Sequence, residues 1–287
     1  MLLQLLKGIF SQAWNKVYLE QMEKLYSKEG LVCTLVDGKV LGIGNTATVY
    51  KLSNEKVLKL FNKGYPKDAV EREFSNAKMI EKMGFLKPQA YEMIKVEGQM
   101  GIIYDMVQGY SLVEWVMRTG NVEECASLMA KLHKEILDNS VDKVPDYKGL
   151  LKHDILRARN VDPVKLEKIL QKLNALPEGD VLCHGDFHPG NIMISNGKPA
   201  ILDFMNICRG VYLFDVARTV FLVEYTPVPN DIKDKEMLLK LKVALADSYL
   251  REMNVSRNMI QDYLDVIDVA RRGECPEEER RSDNCRD

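Results

Sequence analysis

The chain has 287 residues, 46% hydrophobic and 29% charged, which suits a globular protein with core enough for one large domain or two lobes. Its formal net charge of −2 argues against nucleic acid or an anionic membrane as a main partner. The six cysteines, Cys33, Cys125, Cys183, Cys208, Cys275 and Cys285, are scattered without a C-x-x-C pair. They predict free thiols in a reducing, cytoplasmic setting, with Cys125, Cys183 and Cys208 buried among apolar or small neighbours.

The opening MLLQLLKGIF lacks a basic segment before its apolar run, and Lys7, Gln12, Asn15 and Lys16 interrupt the pattern. No small-residue cleavage site follows, so residues 2–26 read as an amphipathic helix rather than a signal peptide. Nowhere do 18 apolar residues run together, so no membrane span is expected. Residues 31–61 alternate like strands: LVCTLVDGKVLGIG, then ATVYKL, a polar SNEK turn, and VLKLF. A helical period follows over 67–83, with Val70, Phe74, Ala77, Ile80 and Met83 on one side. QAYEMIKV and MGIIYDMV form two more strands, joined by Glu97 and Gly98.

Residues 1–108 thus make a small, strand-rich lobe with one main helix. Residues 109–272 make a larger, mostly helical lobe, broken near NSVDKVPDYKG and interrupted over 181–204 by short strands and a polar loop. Helices resume from 213 to about 272, with Pro227 and Pro229 bounding a short loop. The end, 273–287, has lost apolar periodicity and reads as a frayed tail. The expected class is α+β, an antiparallel-sheet lobe on a helical one.

Several stretches carry chemistry. In LGIGNTATVY, Gly42 and Gly44 can let a hairpin backbone approach a phosphate. The spacing fits G-x-G-x-x-G-x-V, with Ala47 at the third glycine and Val49 at the valine; alone, such a hairpin is more often a plain turn. Lys59 stands among apolar residues on both strand faces of KVLKLF. Burying it requires an anion; the alternative is an edge-strand lysine reaching to water. Glu73 lies on the inward face of the 67–83 helix and offers a partner, unless it merely flanks that face.

In HGDFHPGNIM, His184, Asp186 and Asn191 stand at the spacing of the kinase catalytic loop, H-x-D-x-x-x-x-N. An aspartate so placed can orient a hydroxyl and accept its proton. Asn191 can offer a neutral oxygen to magnesium, and Asp203, closing PAILDF, a carboxylate. A competing reading makes His184, Asp186 and His188 a zinc cluster. It lacks further ligands, because His133 and His153 sit in helical stretches as packing or capping residues. It also leaves Lys59, Glu73 and the hairpin unexplained. Glu224, Asp231, Asp234, Asp262, Asp265 and Asp268 could receive a cationic acceptor, but Lys233, Lys235, Lys240 and Lys242 interleave with part of the set and favour a solvated helix face.

HGDFHPGN followed by ILDF resembles the signature of the aminoglycoside phosphotransferase and choline kinase family, which has a two-lobed protein-kinase-like fold. The likeness runs from about residue 38 to 250. It implies Asp186 as catalytic base, Asn191 and Asp203 as magnesium ligands, and Lys59, paired with Glu73, on the α- and β-phosphates. His188 falls where protein kinases place a lysine near the transferred phosphate, which implies charge stabilisation. Asp215 in LFDVARTV resembles the buried aspartate that braces the loop. YDMVQG resembles the hinge, with backbone groups of Asp105 and Val107 meeting the base. Ala47 departs from the third glycine, FMN replaces the Phe-Gly that follows the metal aspartate in protein kinases, and no activation segment with an Ala-Pro-Glu ending is present.

The resemblance implies a magnesium-dependent transfer of the γ-phosphoryl group of ATP, with GTP left open as donor, to a hydroxyl of a small-molecule acceptor: an amino sugar, amino alcohol or sugar. No obligate protein partner is inferred. An atypical protein kinase and a regulatory nucleotide-binding pseudoenzyme are the alternatives. The intact set Lys59, Asp186, Asn191 and Asp203 argues against the pseudoenzyme.

Overall fold

Residues 39–61 and 90–105 build one antiparallel sheet in the computed structural model, which describes residues 39–228 and 234–275. The predicted helix 2–26, Cys33, Cys285, Pro229, Asp231, Lys233 and residues 276–287 lie outside the described residues. The strands are β1 (Val40–Ile43), β2 (Ala47–Lys51), β3 (Lys56–Phe61), β4 (Ala90–Val96) and β5 (Gln99–Asp105), in the order β1-β2-β3-β5-β4. Glu97 and Gly98 both take positive φ, 48° and 86°, which is how a two-residue turn matches the twist of the strands it joins. The Ser53 hydroxyl accepts from the Glu55 and Lys56 N–H groups and closes the β2–β3 turn.

Helix α1 (Lys67–Ile80) buries Val70 and Ile80 together with two polar residues, Glu73 and Asn76. It ends at Ile80 rather than at the predicted Met83. The Met83 N–H bonds the Ile80 carbonyl in a tighter turn ahead of Gly84, and the Lys87 ammonium takes the carbonyls of Met83 and Phe85.

Beyond the sheet come α2 (Leu112–Thr119), α3 (Val122–Leu137), α4 (Tyr147–Arg157) and α5 (Pro163–Ala175). Their N-termini carry the capping chemistry the sequence supplies: a Ser111–Glu114 capping box, Asn121, Asp146, and Asp162 ahead of Pro163. The break between α4 and α5, where Asn160 takes φ 55°, is not signalled by periodicity. Two small sheets frame the polar loop: β6 (Tyr110–Ser111), β8 (Ile192–Ser195) and β9 (Lys198–Ile201) form one, and β7 (Val181–Cys183) pairs with β10 (Cys208–Gly210) in the other.

Helix α6 (Tyr212–Glu224) is buried along its whole middle, from Phe214 to Val223. It packs against α7 (Lys235–Met253) and α8 (Arg257–Glu274), as a mainly apolar helix buried on all sides must. Each fully buried side chain such as Val216 or Val220 contributes about 1.5–3 kcal/mol relative to exposure. Helix α8 continues past the predicted end at 272 to Glu274, which is ion-paired to Arg218. The α+β class read from the sequence is the class observed. Cys125, Cys183 and Cys208 are buried and free. No described helix is long and apolar enough to cross a membrane.

Candidate active site

A cleft of about 300 Å³ opens between the sheet and the helical region. Leu41, Val49, Val57, Met193 and Leu202 give it apolar walls. Among the sequence-predicted residues, Gly42, Lys59, Glu73, Asp105, Val107, Asn191 and Asp203 line it. Gly44, Asp186 and His188 do not. Neither hairpin glycine takes a positive φ. The Gly44 N–H donates to the Ala47 carbonyl at 2.9 Å and tightens the turn, whereas Gly42 has open space where a Cβ would stand. Ala47, at the third glycine position, is packed into the sheet's own core.

Lys59 sits on β3 with β2 on one side and β5 on the other. Its Nζ lies 2.8 Å from Glu73 Oε1 and 3.0 Å from Asp203 Oδ1, and the Tyr104 hydroxyl donates to the same Glu73 oxygen at 2.9 Å. The Lys59 side chain is 13% exposed and that of Glu73 is 3% exposed, so the lysine does not reach to water and the glutamate does not merely flank the helix face. Burial works against the charge on Lys59, but Asp203 and Glu73 outweigh it and hold the ammonium above its ordinary range. One cation therefore faces two carboxylates. Burial pushes Glu73 up, since Lys59 does not fully compensate it. Asp203, whose side chain is 34% exposed, is held below its ordinary value chiefly by Lys59, against the cost of desolvation. Among the described residues, Glu73 Oε2 is buried without a hydrogen-bond partner.

The polar loop is held by its backbone. The His184 and Gly185 N–H groups donate to Asp215 at 2.6 and 2.9 Å. His133 Nε2 reaches the same carboxylate at 2.9 Å, and the other ring nitrogen of His133 meets the Tyr249 hydroxyl. Burial alone would raise Asp215; His133, His184 and the Gly185 N–H keep it below its ordinary value. Gly185 takes φ 74°, and a Cβ there would come within 2.3 Å of the Asn206 carbonyl oxygen, so only glycine fits.

His184 is buried, and its Nδ1 accepts the Asp186 N–H at 3.2 Å. Its Nε2 must then carry the proton and donate to the Leu202 carbonyl at 3.1 Å. Burial lowers its pKa and favours this neutral form. Both ring nitrogens of His184 are thus spent, and His188 Nδ1 accepts the Gly190 N–H at 3.1 Å. The zinc reading falls on this geometry, and no group of three metal-capable residues occurs among the described residues. His133 proves to be a packing residue within a buried network, while His153 lies toward solvent on α4 near Arg157.

Asn191 Nδ2 donates to the Asp186 carbonyl at 3.0 Å and to Asp186 Oδ2 at 3.1 Å, which leaves its Oδ1 as the unspent atom. The Asn191 carbonyl accepts the Leu202 N–H at 2.8 Å, stitching the loop to the strand that presents Asp203. Asp203 takes φ 61° and leads into a 3₁₀ turn, Phe204–Asn206. Asn76 on α1 donates to the Phe204 and Met205 carbonyls at 3.3 and 3.2 Å. His188 Nε2 stands 3.9 Å from Asp186 Oδ2. Desolvation lowers the His188 pKa against the pull of Asp186 and Asp203.

Tyr104, Asn76 and Arg218 are site residues that the sequence reading did not single out. Arg218 carried a signal: a lone charge in the apolar run VARTVFLV, three residues after Asp215. Of the acidic residues weighed for a cationic acceptor, Asp262 and Asp265 pair with Lys172, Asp268 with Arg272, and Glu224 with Arg257. The pairs of Asp262, Asp265 and Asp268 lie toward solvent, as the solvated-face reading expects, whereas Glu224 is half-buried.

A sequence profile of the phosphotransferase enzyme family, APH, matches residues 37–237. The chain belongs to this family. Among solved structures it is similar to amicoumacin kinase hAmiN in complex with AMP-PNP, Ca2+ and Ami, at 14% identity over 88% of this chain and 87% of that one, with a TM-score of 0.57. It is similar also to aminoglycoside phosphotransferase APH(3'')-Id from Streptomyces rimosus, at 14% identity over 83% and 94% of the two chains, with a TM-score of 0.56. A choline/ethanolamine kinase family protein from Mesorhizobium loti matches at 12% identity over 94% and 88%, with a TM-score of 0.53. At these identities the likeness establishes the fold, which is protein-kinase-like. A curated relative, the EKC/KEOPS complex subunit BUD32 of Yarrowia lipolytica, is 22% identical over 194 residues, 64% of this chain and 69% of that protein. The protein is a phosphotransferase, as HGDFHPGN and ILDF led us to expect.

Proposed function

We propose that this phosphotransferase moves the γ-phosphoryl group of ATP to a hydroxyl of a small molecule, an amino sugar, amino alcohol or sugar. The observation that carries the reading is the meeting, in one cleft, of Lys59 and Glu73 from the sheet side with Asp203 and Asn191 from the helical side, Asn191 lying on the loop that bears Asp186. The nucleotide enters between the apolar walls, its base against the main chain of Asp105 and Val107. The Asp105 carboxylate is committed to the Gln89 N–H and the Tyr91 hydroxyl, and the Asp105 N–H to the Gln89 carbonyl at 3.0 Å, so Asp105 would meet the base through its carbonyl. The two lobes meet at this hinge, near residue 108.

The donor set fits a hard divalent cation such as magnesium. Asn191 presents an unspent Oδ1, Asp203 brings a carboxylate, and the cluster carries more negative than positive charge. Bound there with the phosphates, the ion would neutralise charge on the transferring group. Lys59, oriented by Glu73, binds the α- and β-phosphates. Asp186 orients the acceptor hydroxyl and takes its proton as the acceptor oxygen bonds to the γ-phosphorus, while the bond from that phosphorus to the bridging oxygen breaks and ADP leaves. His188 adds a ring N–H beside the same carboxylate and stabilises charge there. Catalysis of this kind is positioning and electrostatics. The buried free cysteines support a reducing, cytoplasmic setting.

The similarity to BUD32 favours a second reading, in which the acceptor hydroxyl belongs to a protein. Magnesium-dependent ADP release with pooled amino sugars, amino alcohols and sugars, beside a protein-labelling assay, separates the two. In either case Asp186→Asn lowers kcat by roughly 100- to 10,000-fold, with nucleotide affinity within about threefold of wild type. Wild-type turnover in that variant would overturn the assignment.

A further inference from the structure

Arg218 is the second charged residue, after Asp215, in the buried middle of a mainly apolar helix. The residue is 5% exposed. Its Nε donates to the Gly185 carbonyl at 3.1 Å, and its Nη2 reaches both oxygens of Glu274 at 2.6 and 2.7 Å. Glu274 closes α8, and its carboxylate is also approached by Arg271 at 3.2 Å.

The Gly185 carbonyl belongs to the peptide unit that joins Gly185 to Asp186. The other end of that unit, the Asp186 N–H, donates to His184 Nδ1. Arg218 thus grips the oxygen of this peptide while His184 grips its nitrogen. The preceding peptide is held at the Gly185 N–H by Asp215. Rotation of the plane between residues 185 and 186 would break both contacts and swing the Asp186 side chain. A displacement of about 1 Å there can cost about 100-fold in rate.

We infer that Arg218, oriented by Glu274, is a positioning residue for phosphoryl transfer that locks the peptide plane carrying Asp186; this rests on the catalytic role proposed for that aspartate. An ion pair serving only to join α6 to α8 needs the Nη2 contact and nothing more. Here the guanidinium spends a further donor on the loop. Arg218 is buried and Glu274 partly so, and an ion pair drawn out of water in this way is moreover a weak source of stability compared with apolar packing. Lysine cannot replace the fork, because its single ammonium cannot span Gly185 and Glu274 with the same planar geometry.

The test uses the full chain with Arg218→Lys, Glu274→Gln and Glu274→Asp, and Asp186→Asn as control. Three quantities are read: kcat and nucleotide KM in magnesium-dependent ADP formation, hydrogen exchange at the Asp186 amide, and Tm. Arg218→Lys is expected to lower kcat roughly 10- to 100-fold with KM within about twofold, and to speed exchange at Asp186. Glu274→Gln goes the same way, and Glu274→Asp recovers part of the loss. If Arg218→Lys does not fold, the Glu274 pair decides. Rates within about twofold of wild type in the folded variants, with Asp186→Asn inactive, would overturn the clamp and leave the functional reading standing. A fall in kcat matched by a proportional fall in folded protein would also overturn it. An active Asp186→Asn would instead sink the functional reading itself.

Discussion

On the sheet side of the cleft, Lys59 and Glu73 hold each other by side-chain contacts above a small core of Ala47, Phe61, Val70, Ala90 and Ile102. On the helical side, Asp215 and Arg218 hold the loop by its main chain, from within a continuous core that includes Phe187, Val216 and Ile267. The first grip is adjustable, since side chains can trade partners when a phosphate arrives. The second is fixed, since a backbone N–H that loses a buried acceptor has no other to turn to. On the function proposed above, one side would receive a variable guest and the other would keep a reacting atom still.

The sharpest way to break this contrast is at Asp215. Asp215→Ala strands the His184 and Gly185 N–H groups and the His133 ring inside the core. It is expected to cost about 3–5 kcal/mol, read as a drop in Tm with loss of exchange protection at both amides. A smaller effect is expected on the sheet side. Lys59→Met should weaken nucleotide binding by roughly 10- to 100-fold in calorimetric titration, while the loop amides keep their protection. If Lys59→Met also unprotected the loop, the two grips would not be independent.

Acid sharpens the comparison further, because the two sides respond with opposite sign. Asp215 is depressed below its ordinary 3.8 in the folded protein. Its contribution is therefore present above that value and lost as pH falls through the folded pKa. Glu73 is raised above its ordinary 4.5. Its contribution is full below that value and is lost as pH rises through the folded pKa. Over pH 7 to 3, Tm should fall less steeply in Asp215→Asn than in wild type, and more steeply in Glu73→Gln. Identical slopes in the three proteins would refute this division.

The sheet strands and α1 were legible because each spans enough residues for a period to register, and Lys59 stood out as a charge between apolar neighbours. Strand β10 was not legible: three residues carry no period, and its pairing partner Cys183 lies far back in the chain. Gly44 was read as letting the hairpin backbone approach a phosphate; it does not line the cleft, and its N–H is bonded to the Ala47 carbonyl. His184 stood out by its catalytic-loop spacing and as a possible zinc ligand, and it is a buried brace with both nitrogens spent. Glu274 was assigned to a tail because the periodicity fades there. What keeps it in α8 is an ion pair to a residue on another helix, which no local pattern reports. Tertiary partners of this kind are what a single sequence hides, and Arg218 shows that one half of such a pair can still betray itself.

Asp203 occupies a left-handed backbone conformation, φ 61° and ψ 70°, which asparagine and glycine tolerate far better than alanine does. Replacement by asparagine removes the carboxylate and leaves the chain path intact, whereas alanine adds about 1–2 kcal/mol of backbone strain to the loss of charge. With the metal-binding role proposed for Asp203, this one position would separate shape from chemistry: a single conservative change would keep the fold and remove the proposed ligand.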